Sequence, residues 1–328
     1  MGAPTLRDVY AARKLIAQYL PRTPLSYSAG LSELMEAEIY LKHEDHLPLG
    51  SFKPRGGINL LAHLTAEARN QGVITASTGN HGQSIANACQ IFGARAMIVL
   101  PENANPLKVA AMRQLGAELI FHGTIYDDAR GHAERLAEEE GYRYVHPSNE
   151  PLLISGVATQ TLEIIEDLPE VEAILVPLGG GSSVAGACIV AKAVDPQIQV
   201  MAVQSEAAAA GYLSWKQGHL VQAPMQTFAE GIATGGGYEL PQSIIRHSLD
   251  EFILVSDDEI RYAIGLLIEQ AHTLAEGAGA AATAGALKHR EHLKGKKVVI
   301  IVSGGNITLS QLQDSIKVYQ RPSRPARH

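Results

Sequence analysis

Lys53 stands between Phe52 and Pro54 in the segment Gly50-Ser51-Phe52-Lys53-Pro54-Arg55-Gly56-Gly57. A lysine is ordinarily a solvated charge. One that is flanked by apolar groups and partly desolvated can be neutral enough to add to a carbonyl and form a Schiff base. Three further segments carry groups with chemistry to offer. Ser77-Thr78-Gly79-Asn80-His81-Gly82 presents hydroxyls and backbone N–H groups where a strand passes into a helix, a natural seat for a carboxylate. In Pro177-Leu178-Gly179-Gly180-Gly181-Ser182-Ser183, three consecutive glycines let the backbone close around an anion, and two hydroxyls add donors. Phosphate suits such a turn, although the Walker spacing and a usable Gly-x-Gly-x-x-Gly are both missing. Val302-Ser303-Gly304-Gly305-Asn306 follows a strand and aims Ser303 at whatever cleft lies beyond it. Each segment taken singly is equally a solvated lysine, an N-capped turn, a glycine turn or a strand end.

The elements that position these segments follow from the apolar pattern. Val73–Ala76, Ala96–Leu100 and Glu118–Phe121 read as short strands, as do residues 173–176, 200–203 and 298–302. Between them, Ile85, Ala88, Cys89 and Phe92 recur at helical spacing. Pro106 suits the first turn of a helix reaching about Gly116, and a helix from about Tyr126 stops at Gly141. Ser256 and Glu259 form a capping box ahead of another helix. Strands alternating with helices predict an α/β fold with a mostly parallel sheet covered on both faces, and ligands in such sheets bind beyond the carboxyl ends of the strands. The Pro- and Arg-rich stretch 320–328 reads as a loose tail.

The bulk properties exclude several classes. The chain has 328 residues, 46% of them hydrophobic and 19% charged, an ordinary globular composition long enough for two sub-domains. A formal net charge of −7 argues against a nucleic-acid partner. Cys89 and Cys188 fit no zinc or redox spacing, which points to reduced thiols and a cytoplasmic setting. The sequence opens without a signal peptide, and no apolar run is long enough to span a membrane.

In this order and at these separations, the four segments resemble those of the tryptophan-synthase-β-like pyridoxal-phosphate (PLP) enzymes, fold type II. Within them the chain is most similar to the threonine/serine dehydratase and serine racemase branch, over residues 5–315. The resemblance implies two open, twisted, mostly parallel sheets flanked by helices. Residues 1–66 and 150–320 would form a large cofactor-binding domain, 67–149 a small substrate-closing domain, and 321–328 a tail. It implies that Lys53 is the Schiff-base lysine, that Asn80 meets the cofactor's ring hydroxyl, that Gly179, Gly180, Gly181 and Ser182 hold its phosphate, and that Ser303 faces the pyridine nitrogen. Ser77, Thr78, Gly79 and His81 would hold the substrate carboxylate. The implied reaction is an ammonia-lyase one, converting L-threonine, L-serine or a related hydroxy amino acid to a 2-oxo acid and ammonia. Two alternatives stay open: a serine or related racemase using Lys53 and Thr78, and a PLP-binding module without turnover. A homodimer or homotetramer lacking an effector-binding regulatory domain is expected.

Some positions depart from the branch's pattern. Ser182 takes the place of a fourth glycine, Val157 stands where the branch has Gln, and Glu276-Gly277-Ala278-Gly279 replaces Glu-Pro-x-Gly or Glu-Pro-x-Ala. Relatives hold a divalent cation at positions matched by Glu206 and Ala210, so Mg2+ or another cation is expected there, although Tyr212 stands where a carboxylate belongs. His43 and His46 bracket Glu44 and Asp45. That spacing suits a metal pair, but a loop ahead of Lys53 accounts for it as well, and no metal is assigned to it.

Overall fold

The computed structural model describes residues 2–320; the tail expected over 321–328 lies outside the described residues. Ten strands form two sheets: β1 (Leu25–Tyr27), β2 (Glu38–His43), β3 (Val73–Ala76), β4 (Ala96–Leu100), β5 (Glu118–Phe121), β6 (Arg143–Tyr144), β7 (Ala173–Pro177), β8 (Gln199–Ser205), β9 (Glu251–Val255) and β10 (Lys297–Val302). The larger sheet runs β1-β2-β10-β7-β8-β9, and the smaller runs β5-β4-β3-β6. All pairings are parallel except β1 with β2, which is an antiparallel edge.

The continuous apolar run of β10 is explained by burial on both faces. Val298, Ile300 and Val302 enter one core cluster, while Val299 and Ile301 enter another across the sheet. The strand period of two divides the run cleanly between two helix layers. The helix Gly277–Lys288 packs on the first face and the helices Pro151–Asp167 and Ser182–Val194 on the second. In the smaller sheet, Ile74, Ala76, Met97 and Val99 face the helix Tyr126–Glu140, while Val73, Ile98 and Leu100 face the helices Lys53–Ala62 and Asn80–Phe92. The helix that begins at Lys53 thus contributes Ile58, Leu60 and Leu61 to the core of the smaller sheet, whose strands all lie between residues 73 and 144.

The local signals work as their physics requires. Ser256 accepts from the Glu259 amide while Glu259 accepts from the Ser256 amide at 2.6 Å. Gly116 and Gly141 take left-handed φ angles of 80° and 75° directly beyond their helices. β1, β2, β6 and β9 are not among the expected strands: the first three carry no long apolar run, whereas β9 does carry one over residues 252–255.

Candidate active site

The carboxyl ends of β3, β4, β7 and β10 open on one cleft of about 950 Å³. Its walls include Lys53, Ser77–His81, Gly179–Ser182 and Ser303, so the structure brings the four segments together. Lys53 opens its helix with Pro54 in the first turn, where a missing N–H does no harm. The Ser51–Gly304 bridge and the Phe52 amide, which donates to the Ser303 carbonyl at 3.1 Å, pin the lysine beside Ser303. Burial depresses the Lys53 amine to about 8, against the opposing pull of the Glu276 carboxylate.

Behind Lys53 its helix is anchored by a buried charge network. Arg55, 1% exposed, donates to Glu44 at 2.7 and 2.9 Å, to Glu163 at 2.7 and 2.9 Å, and to Thr159 and Thr23. Lys42 donates to Glu163 at 2.7 Å and to the Thr23 carbonyl at 2.8 Å. Burial alone would raise Glu163, but Arg55 and Lys42 outweigh it and hold the carboxyl at about 2. Two cations and two anions close the network without net charge.

Ser77 Oγ accepts from the Gly79 and Gly82 amides, which shapes the turn. The Asn80 and His81 amides sit in the first turn of a 13-residue helix, where no preceding carbonyl is available to them. The His81 ring points elsewhere. Thr75 Oγ1 gives its one hydrogen to the Val145 carbonyl at 2.8 Å, so His81 Nε2, at 3.1 Å from Thr75 Oγ1, is the donor and the ring is neutral. Burial, then Lys53 and His146, keep its pKa well below the usual histidine range. The imidazole of His81 is thus committed to Thr75, which leaves its backbone amide, in the first turn of the helix, as the group it offers the cleft. The Thr78 side chain lines the cleft, half-buried.

Gly179 and Gly180 leave no room for side chains: a Cβ on Gly179 would strike the Gly231 carbonyl oxygen, and one on Gly180 the Ser148 hydroxyl. Gly181 has φ 93° and turns the chain into the 13-residue helix Ser182–Val194. Ser182 Oγ makes no hydrogen bond among the described residues, nor does Ser303 Oγ, although both residues are about 5% exposed and both line the cleft. Ser183, by contrast, is engaged by Gln160 Nε2 at 2.6 Å.

A family model of pyridoxal-phosphate dependent enzymes matches residues 16–304. The chain belongs to that family. Its relatives include L-threonine ammonia-lyase of Thermotoga maritima, 42% identical over 309 residues that cover 94% of this chain and 77% of the relative. L-threo-3-hydroxyaspartate ammonia-lyase of Saccharomyces cerevisiae is 36% identical, with 95% and 96% covered. The solved structure of maize serine racemase superposes with a TM-score of 0.90 at 31% identity, covering 96% of this chain and 97% of the other. The two mostly parallel sheets flanked by helices are those of fold type II.

The residues fit the cofactor. A depressed lysine amine, an anion seat of glycines at a helix N-terminus, and two uncommitted hydroxyls, Ser182 and Ser303, converge on one cavity. Asn80 lines the cleft and its side chain is fixed: its Nδ2 donates to Glu276 Oε1 at 2.7 Å and its Oδ1 accepts from Asn306 Nδ2 at 2.9 Å. Glu276, a residue missed as a site group, is the hub between Asn80 and Lys53, and burial raises its pKa. The departure at Glu276-Gly277 was its one signal in the sequence. Lys108, Arg130, His146 and Tyr238 also line the cleft and carry no motif.

Glu206 and Ala210 lie apart from this cleft. Glu206 opens a short turn after β8 with its side chain exposed, and the Ala210 carbonyl accepts from Ser214 Oγ at 2.7 Å. One carboxylate and one carbonyl leave most of the oxygens around Mg2+ to water. Three metal-ligating side chains do meet elsewhere, at His43, Asp45 and His46.

Proposed function

We propose that this enzyme is an ammonia-lyase for a small β-hydroxy amino acid, L-threonine, L-serine or a close relative, yielding a 2-oxo acid and ammonia. The observation that carries the reading is the cleft itself. A lysine amine near pKa 8, a carboxylate seat and an anion seat face one another there, with a neutral Ser303 where a carboxylate would otherwise be available. Bound pyridoxal phosphate supplies an electron sink for the bonds at Cα. The amides at the start of the helix Asn80–Phe92 hold the substrate carboxylate and fix which Cα bond faces Lys53. Lys53 holds the cofactor at rest and, once released, takes the Cα proton; at neutral pH an appreciable fraction of such an amine is unprotonated. Because Ser303 stays neutral, the site stabilises less negative charge at Cα, which favours prompt loss of the β-hydroxyl.

A racemase is the second reading, supported by the Thr78 hydroxyl on the cleft wall and by the similarity to maize serine racemase. Returning a proton to the other face of Cα needs a second acid, and Thr78 is the candidate. Product analysis with L-Ser, D-Ser, L-Thr and 3-hydroxyaspartate separates the readings: 2-oxo acid and ammonia support the lyase, the enantiomer alone supports the racemase, and no turnover on any of the four overturns both. The reading also carries a cytoplasmic setting and a homodimer or homotetramer, the assembly being read by light scattering of the purified holoenzyme.

A further inference from the structure

β2 ends at His43, directly beside Val302 of β10, and the chain then makes a single turn through Glu44–His46 before it reaches Lys53. In that turn the side chains of His43 and Asp45 are both about 6% exposed, while that of His46 is 53% exposed. His43 Nδ1 lies 3.4 Å from Asp45 Oδ1, and His46 Nε2 lies 3.5 Å from Asp45 Oδ2. His43 Nδ1 and Asp45 Oδ1 are buried and have no hydrogen-bond partner among the described residues. The other ring nitrogen of His43, Nε2, is held by Ser26 Oγ at 2.7 Å. In the tautomer whose Nε2 donates to Ser26 Oγ, Nδ1 presents a lone pair to a carboxylate oxygen, and two buried acceptors face each other. Burying polar atoms in that way is costly unless a cation joins them. A histidine whose far nitrogen is hydrogen-bonded, with its near nitrogen free, is also the usual form of a metal ligand.

We propose that His43 Nδ1, Asp45 and His46 Nε2 form a binding site for a zinc-like divalent transition metal, distinct from the cofactor cleft. The three ligand atoms lie within 4.8 Å of one another. Ligands around tetrahedral zinc, at bonds of about 2.0–2.1 Å, stand about 3.3 Å apart. His43 and Asp45 are already close to that separation. His46 is stacked on His43 with ring centroids 4.6 Å apart, and being exposed it is free to turn its Nε2 inward. Two imidazoles and one carboxylate favour Zn2+, Co2+ or Ni2+ over Mg2+ or Ca2+, which gather oxygen ligands. The fourth position is left to water on the exposed side. None of the three residues lines the cleft. Gly305 packs over Asp45, since a Cβ there would lie 3.5 Å from the Asp45 Cβ. The metal would therefore clasp the turn ahead of Lys53 to the end of β2, beside the strand that leads to Ser303.

The test uses the untagged holoenzyme, stripped with a chelator and titrated with ZnCl2 by calorimetry. One equivalent is expected to bind. His46→Ala and Asp45→Asn are each expected to weaken binding at least tenfold, with cofactor absorbance and circular dichroism unchanged. Co2+ should give a visible ligand-field band that both variants lose, and millimolar Mg2+ should not displace zinc. A wild-type protein that takes up no zinc, binding that persists undiminished in either variant, or displacement by Mg2+ would each overturn the assignment.

Discussion

Replacing Arg55 by Met tests whether the charge network behind Lys53 is what fixes the catalytic helix. The side chain is 1% exposed and bonds both Glu44 and Glu163, so its removal leaves two buried carboxylates facing the single ammonium of Lys42. Breaking a buried pair by deleting one partner costs about 3–5 kcal/mol. The fall of the Glu163 carboxyl from an ordinary 4.5 to about 2, net of burial, corresponds to about 3 kcal/mol at ~1.36 kcal/mol per pH unit and is shared between Arg55 and Lys42. Either figure is a large part of the roughly 5–15 kcal/mol that holds a protein folded. The sign with pH follows from the depressed native pKa: the contribution is complete above the unfolded value near 4.5 and is lost as pH falls towards 2. Equilibrium urea unfolding, followed by Trp215 fluorescence and far-ultraviolet circular dichroism together, should show the Arg55→Met loss at pH 7 and a narrowing gap to wild type below pH 4.5. The double variant Arg55→Met/Glu163→Gln removes one charge of each sign and leaves Lys42 with Glu44. It should lose less than the sum of the single variants, by about 0.5–3 kcal/mol. A single variant within about 1 kcal/mol of wild type, or strict additivity in the double, would refute the reasoning.

Lys53→Ala should leave the protein colourless, and borohydride reduction of the wild type should label Lys53 in the peptide map and no other lysine. Gly179→Ala drives a Cβ into the Gly231 carbonyl, a backbone atom that cannot swing aside, so cofactor affinity measured by fluorescence titration should fall at least tenfold. Glu276→Gln removes the charge that props up the Lys53 ammonium; the rate at which apoenzyme captures pyridoxal phosphate should then reach its plateau at lower pH than in wild type, where the lysine titrates near 8. Thr78→Ala should retain much of any elimination from L-substrates while losing racemisation and action on D-substrates. Equal losses of both, followed by deuterium exchange at Cα, would assign Thr78 to binding alone.

The sequence by itself determined the α/β plan, with parallel strands covered on both faces, and the four segments of the cofactor site. Runs such as Val298-Val299-Ile300-Ile301-Val302 announce strands buried on both faces, and the glycines and hydroxyls that follow strands announce what those strands present. These signals are local, because strand burial, helix caps and glycine turns are set by a few neighbouring residues. β2 escaped notice for the converse reason. It carries Lys42 and His43, and polar residues inside a sheet make sense only once Glu163, 121 residues away, and Ser26 on the adjacent strand are seen beside them. Glu276 became a site residue only through its hydrogen bond to Asn80, across 196 positions of chain. That the His81 ring is tied to Thr75 and turned from the loop's amides is likewise visible only in the folded chain. His43, Asp45 and His46 read as an ordinary loop until burial left two of their polar atoms unpaired. Burial and long-range pairing depend on what the rest of the chain packs against a residue, and tertiary structure alone decides that.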